Sequence, residues 1–181
     1  MLTSASAGLP VRSRGSNGVV FGPAAMGLAQ AYLCNRQTSD ANMYAALEKA
    51  KGVLLGKTDN FEVRDGALAV ELDLILGGTA CVDHVSTNFY GKLESGTYYD
   101  ARSDLVHDTG SFVESVRLRR FSEGLGNLAA WDLGLGLYSA GVIGADTADW
   151  IAGLETAIDE LDGTKSYDIL GLAGAVLGAF I

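Results

Sequence analysis

The chain has 181 residues, 48% hydrophobic and 19% charged, with a formal net charge of −9. That length and apolar content suit a single domain with a real core and exclude a disordered chain. An acidic chain repels phosphate backbones, which argues against nucleic acid as a partner.

The charge is unevenly spread. Residues 121–181 hold nine acidic side chains and one basic, Lys165, whereas residues 1–120 hold thirteen acidic and twelve basic. Solvated outer faces account for this best, and a cation-binding or basic-partner surface is the sharper alternative. Cys34 and Cys81 belong to no CxxC pair and to no Cys/His cluster of zinc spacing, so two buried thiols are expected, with a disulfide between them as the alternative, and no metal site. Residues 1–19 contain Ser, Gly and Arg without a long apolar run, so they read as a flexible lead-in with no signal peptide. The apolar stretches 133–145 and 169–181 fall short of the ~18–20 residues that a membrane span needs.

In chain order, the first periodic segment is 23–35. Pro23 suits a first helical turn, and Ala24, Ala25, Gly27, Ala29 and Ala31 permit close packing on several sides. Thr38, Ser39 and Asp40 form a capping cluster ahead of a helix over 41–55, where Met43, Leu47, Ala50 and Leu54 make one apolar stripe. Gly56 can close it. Residues 65–76 are apolar nearly all round apart from Glu71 and Asp73, and Gly77-Gly78 breaks them. A further helix is expected over about 80–93, carrying Val82, Val85, Phe89 and Tyr90.

Residues 96–124 read as an irregular insertion with one helix near 103–116. A strand pair is the alternative for 111–121. Residues 128–143 are again small and apolar on most sides. Residues 148–161 carry one stripe of Trp150, Leu154, Ala157, Ile158 and Leu161, and Gly163 stops them. The last segment, 166–181, is another small-residue helix.

Helices apolar on most of their circumference therefore alternate with one-striped helices. The first kind belongs to an inner layer and the second to an outer one. Short connections make successive helices antiparallel neighbours. The expected fold is all-α: a curved array of antiparallel helical hairpins, with Gly/Ala-rich inner helices and amphipathic outer helices, over residues 20–181. A weak repeat agrees with this. Trp131-Asp132-Leu133-Gly134 and Tyr167-Asp168-Ile169-Leu170 lie 36 residues apart, about one hairpin, and Arg64-Asp65-Gly66-Ala67 reads as a degraded third copy.

This alternation, with GNLAAWDLGLGLYSAG and SYDILGLAGAVLGAF, resembles the α/α-toroid proteins: six-hairpin glycosidases, the related polysaccharide lyases, and the terpenoid cyclase toroids. It is most similar to exported, glycan-associated bacterial proteins of that kind. The resemblance spans about residues 20–181 with a gap at 96–124. It implies a partial α/α toroid, because the chain supplies fewer helices than six hairpins need. It also implies an apolar open edge, to be covered by a second copy of the chain or by further helices.

Asp65, Asp132 and Asp168 sit at corresponding ends of inner helices. On a shared rim they would be the candidate catalytic acids, since paired carboxylates serve as general acid and base in glycoside hydrolysis. The competing reading is that each caps its helix. Trp131 and Tyr167 are the candidate sugar platform, with packing between hairpins as the alternative. His84 and His107 each neighbour an aspartate, but adjacent residues on a helix do not face each other. Arg117, Arg119 and Arg120 form the one basic cluster, open to holding an anion or docking against the acidic last third, with a salt link within the chain or between subunits as the favoured use. Gly77-Gly78 and residues 133–136 lack the setting of a phosphate loop, so no cofactor is expected. The functions that remain are a carbohydrate-associated protein, a helical scaffold that self-associates, and a terpenoid-cyclase-like toroid. The 8% aromatic content speaks against the last.

Overall fold

The computed structural model describes residues 29, 31, 41–122, 127–161 and 168–179. The segment predicted as a helix over 23–35 lies outside these apart from Ala29 and Ala31, which are helical, and the capping cluster at residues 38–40 lies outside them altogether. The described residues are predominantly helical, with one two-stranded sheet, and the chain divides into two compact units, Met1–Asn88 and Phe89–Ile181.

In the first unit, α1 (Ala41–Leu55) buries Met43, Ala46, Leu47, Ala50 and Leu54 and leaves its other faces wet. The i, i+3, i+4 spacing of those residues is the reason. α2 (Val63–Leu76) packs against it and is buried on nearly every side from Val63 to Asp73. It starts two residues earlier than its hydrophobic pattern suggests. The Glu62 N–H donates to Asp65 Oδ2 at 2.7 Å, the return half of a capping box, and this satisfies a donor that the helix start would otherwise orphan. Gly77 and Gly78, at φ +81° and +92°, turn the chain through the left-handed region that favours glycine.

α3 (Ala80–Val85) follows and packs on α1 and α2. It runs without a break into a π-helical turn (Ser86–Tyr90) and then α4 (Gly91–Glu94). The sequence predicts one regular helix here. The π turn shifts the helical phase, so that Cys81, Val85, Phe89, Tyr90 and Leu93 are all buried.

The second unit opens inside that π turn. A hairpin follows: β1 (Tyr98–Asp100) pairs antiparallel with β2 (Leu105–His107), in the register Tyr98↔His107, Tyr99↔Val106 and Asp100↔Leu105. Asp104 supplies the positive φ (+56°) of its loop. α5 (Thr109–Ser122) comes next. The helix expected near 103–116 thus starts six residues later, and the strands lie before it rather than at 111–121. Two forces decide this. Tyr98 and Tyr99 favour a pleated, half-buried surface, and Asp108 and Ser111 cap the helix start, with the Ser111 N–H donating to Asp108 Oδ1 at 2.8 Å and the Asp108 N–H to Ser111 Oγ at 3.1 Å.

The core of this unit is aromatic. Phe89, Tyr98 and Phe112 meet edge to face with ring centres 5.2–5.4 Å apart, and Trp150 closes the cluster against Tyr90 at 5.8 Å. Trp150 comes from α7 (Ala148–Asp159), whose buried stripe is Trp150, Leu154 and Ala157. α7 packs on α5 and on α6 (Asn127–Ile143), which is buried on nearly every side.

α8 (Asp168–Gly178) lies tightly against α6. A Cβ on Gly134 would strike the Gly174 carbonyl, one on Gly174 would strike the Trp131 backbone, and one on Gly178 would crowd Gly134 and Leu137. The numbering rises together on both helices, so α6 and α8 run in the same direction. Unlike α6, α8 is not enclosed. It buries Gly171, Gly174 and Gly178 but exposes Leu172, Ala173 and Val176.

Gly174→Ala is expected to lower stability by ~1–3 kcal/mol, because backbone must move to admit the methyl. Gly52→Ala, on an open face of α1 with nothing within 4 Å, should instead stabilise by ~0.5–1 kcal/mol. Paired thermal melts showing the same shift for both would contradict the close approach of α6 and α8.

Candidate functional site

Asp132 is buried in α6, 3% exposed. Its Oδ2 accepts a hydrogen bond from Arg120 Nε of α5 at 2.7 Å, and the arginine is itself buried. Asp65 is buried in the first unit, 1% exposed, and its Oδ2 takes a 2.5 Å ion pair from Lys57 as well as the Glu62 N–H. Lys57 Nζ also stands 5.5 Å from the centre of the Phe61 ring, a cation–π distance. Asp168 is the first residue of α8, and Tyr167 lies outside the described residues. Trp131 is half-buried beside Asp132.

The two acids whose surroundings are described are therefore each joined to a cation across a chain connection. Lys57 precedes α2, and Arg120 lies in the last turn of α5. Each carboxylate is thus engaged by a structural partner inside its own unit. Asp73 works similarly: its two oxygens accept the N–H groups of Cys81 and Val82, at 3.2 and 2.8 Å, and so cap α3. Asp100 binds the side chain and the N–H of Arg102 inside the hairpin, at 2.8–3.0 Å. Within the basic cluster, Arg120 pairs with Asp132, and Arg117 with Glu160 and Glu114.

His84 is structural. Its Nε2 meets the Lys57 carbonyl at 2.6 Å and Asn88 packs on its Nδ1, which ties α3 to the loop before α2. His107 is different. It ends β2, is 3% exposed, and stands between two serines. Ser103 Oγ lies 3.1 Å from its Nε2 and Ser111 Oγ lies 3.3 Å from its Nδ1. Ser111 Oγ in turn donates to Asp108 Oδ1 at 2.6 Å. Sequence reasoning paired His107 with its neighbour Asp108 and did not find the serines. The four-residue spacings, Ser103–His107–Ser111, were the available signal, but they straddle a loop, a strand and a helix start.

Cys81 is buried. Burial, reinforced by the adjacent Asp73 carboxylate, pushes its thiol up to about 12, so it is inert at neutral pH. Among the described residues no group of three or more His, Cys, Asp or Glu is placed to hold a metal ion, and no helix is long and apolar enough to cross a membrane. Comparison with protein-family models, with curated proteins and with solved structures finds no match to this chain.

Arg120→Leu removes the cation that pairs with the buried Asp132 carboxylate and is expected to cost ~3–5 kcal/mol. The double variant Arg120→Leu/Asp132→Leu should recover a large part of that loss. Denaturant unfolding of both variants checks this, and equal losses in the two would show that the pair is not the fastener described.

The hairpin also has an acid limb. Burial raises the Asp100 pKa, but hydrogen bonds from Arg102 and the charges of Arg102 and Arg119 outweigh it and hold the group below the ordinary carboxylate value. Hydrogen bonds from Ser111 depress Asp108 in the same direction. A depressed folded pKa gives stability that is complete above the unfolded value and is lost as pH falls through the folded one. Stability should thus decline below about pH 4, the unfolded aspartate value, and Asp100→Asn should flatten that decline. Urea midpoints measured from pH 6 to pH 2 test it.

Proposed function

We propose that this protein is a helical interaction module that pairs with a second copy of itself through the outward face of α8. The observation that carries this reading is the pair of large apolar side chains on that face: Leu172 is 49% exposed and Val176 57%. They lie one turn apart on the side of α8 opposite its glycine contact with α6. Ala173 and Ala179 are exposed beside them, and no charged residue occurs between Ile169 and Ala179. In a chain of net charge −9, two copies repel wherever acidic surface faces acidic surface. An uncharged helix face is where like can meet like, in a self-complementary two-fold contact.

The local order of the second unit supports a toroid-like arrangement of its helices. α6 and α8 run in the same direction, with α7 as the one-striped helix between them in sequence. That is the inner–outer–inner step that an α/α toroid repeats. The carboxylates then have structural work in the array, and ligand binding belongs to its surfaces.

Sedimentation velocity at micromolar concentrations should show a dimer that dissociates on dilution. Leu172→Glu/Val176→Glu should be monomeric with an unchanged melting profile. A monomeric wild-type chain under those conditions would overturn the reading.

A glycan-associated role is the second reading, favoured by the half-buried Trp131 at the start of α6. Because Trp150 is fully buried, intrinsic fluorescence changes on adding soluble oligosaccharides would report on Trp131. Quenching that is abolished by Trp131→Phe supports this role, and an unaltered spectrum rejects it.

A further inference from the structure

We infer that Ser103 is a nucleophile activated by His107, and that this hairpin site accepts an acyl group from small, activated esters. The argument is a proton inventory around one imidazole. Ser111 has a single hydroxyl proton and two acceptor lone pairs. Its short bond is to Asp108 Oδ1 at 2.6 Å, against 3.3 Å to the Asp108 carbonyl, so the proton goes to the carboxylate. What remains on Ser111 Oγ is acceptor capacity. One lone pair takes the Asp108 N–H at 3.1 Å, and the other faces His107 Nδ1 at 3.3 Å. His107 Nδ1 must therefore carry the proton in that contact. In a neutral imidazole this leaves Nε2 as a bare acceptor, and Nε2 is the atom that Ser103 Oγ approaches at 3.1 Å.

The serine hydroxyl thus points its proton at a base, while the other side of that base is held by a hydroxyl bonded to a carboxylate. The pattern of nucleophile, oriented imidazole and distal anion is the logic of nucleophilic catalysis. The nearest competing acceptor for the Ser103 proton, the Asp100 carbonyl, is farther away at 3.3 Å.

The surroundings set the substrate class. His107 is buried against Phe112, with ring centres 6.0 Å apart, which holds it in place, whereas Ser103 is exposed on the loop between β1 and β2. The register puts Leu105 on the same face of the hairpin as His107, and Leu105 is also exposed. An open position with one exposed apolar side chain nearby points to a short acyl group rather than a long one. In the step itself, Ser103 Oγ bonds to the acyl carbon and the bond from that carbon to the leaving oxygen breaks. The serine proton passes to His107 Nε2 and then to the leaving oxygen. Water repeats the exchange to free the acid.

The test uses the full chain and a fluorophosphonate, with Ser95 and Ser122 as exposed serines in the same molecule for comparison. There Ser103 Oγ bonds to phosphorus, fluoride leaves, and the proton lands on His107. Peptide mapping should find the adduct on Ser103, formed about 10²-fold faster than on Ser95, the lower end of what a positioned base supplies. Ser103→Ala should remove it, along with the burst of nitrophenolate from p-nitrophenyl acetate. His107→Ala should slow labelling to the Ser95 level, with recovery when free imidazole is added. Since His107 is buried, that variant can fail to fold, and the wild-type arm decides alone: Ser103 labelled no faster than Ser95 overturns the inference.

Discussion

A buried carboxylate has to be matched at short range or it will not stay buried. That constraint organises both units of this protein. Asp65 is tied to Lys57 across the turn before α2, and Asp73 to the N–H groups of α3 across the turn after it. Asp100 is tied to Arg102 within the hairpin loop, and Asp132 to Arg120 across the connection from α5 to α6. In each case the acid and its partner are joined across a turn or a connection. The carboxylates fasten connections, while the apolar faces hold the helices themselves.

The second unit adds a steric constraint. α6 and α8 approach so closely that neither tolerates a side chain at Gly134 or Gly174. Close approach gives extensive dispersion contact from small residues, so a helix made largely of Gly, Ala and Leu can be anchored firmly by one face. It also leaves the opposite face of α8 with larger apolar groups than its buried face. The asymmetry of that helix, glycines inward and Leu172 and Val176 outward, is the physical basis for reading it as a contact surface.

The hairpin is the part least like the rest. It is short, rich in hydrogen-bonding side chains, and holds its histidine by packing on one face and by serines at both ring nitrogens. Asp132 of the same unit is paired with Arg120, whereas this cluster keeps an exposed hydroxyl within reach of a buried imidazole. The chemistry inferred for this cluster uses none of Asp65, Asp132 and Asp168, the acids to which the toroid resemblance directs attention.

Where hydrophobic period was strong, the residues spoke for themselves. The stripe Met43, Leu47, Ala50 and Leu54 and the stripe Trp150, Leu154 and Ala157 define α1 and α7, and the unbroken apolar runs define α2 and α6. These depend on neighbours three and four apart, which is information local to the chain. Residues 96–124 were legible only in part, because Tyr98 and Tyr99 needed a partner strand that local pattern does not identify. The partners of Asp65, Asp73 and Asp132 lie eight to twelve residues away across loops, and Ser103 meets His107 through a turn. Tertiary structure alone decided which polar groups meet, which face of α8 is left open and which groups flank the His107 ring. Each of these is set by distances between segments, and no periodicity within a segment encodes them.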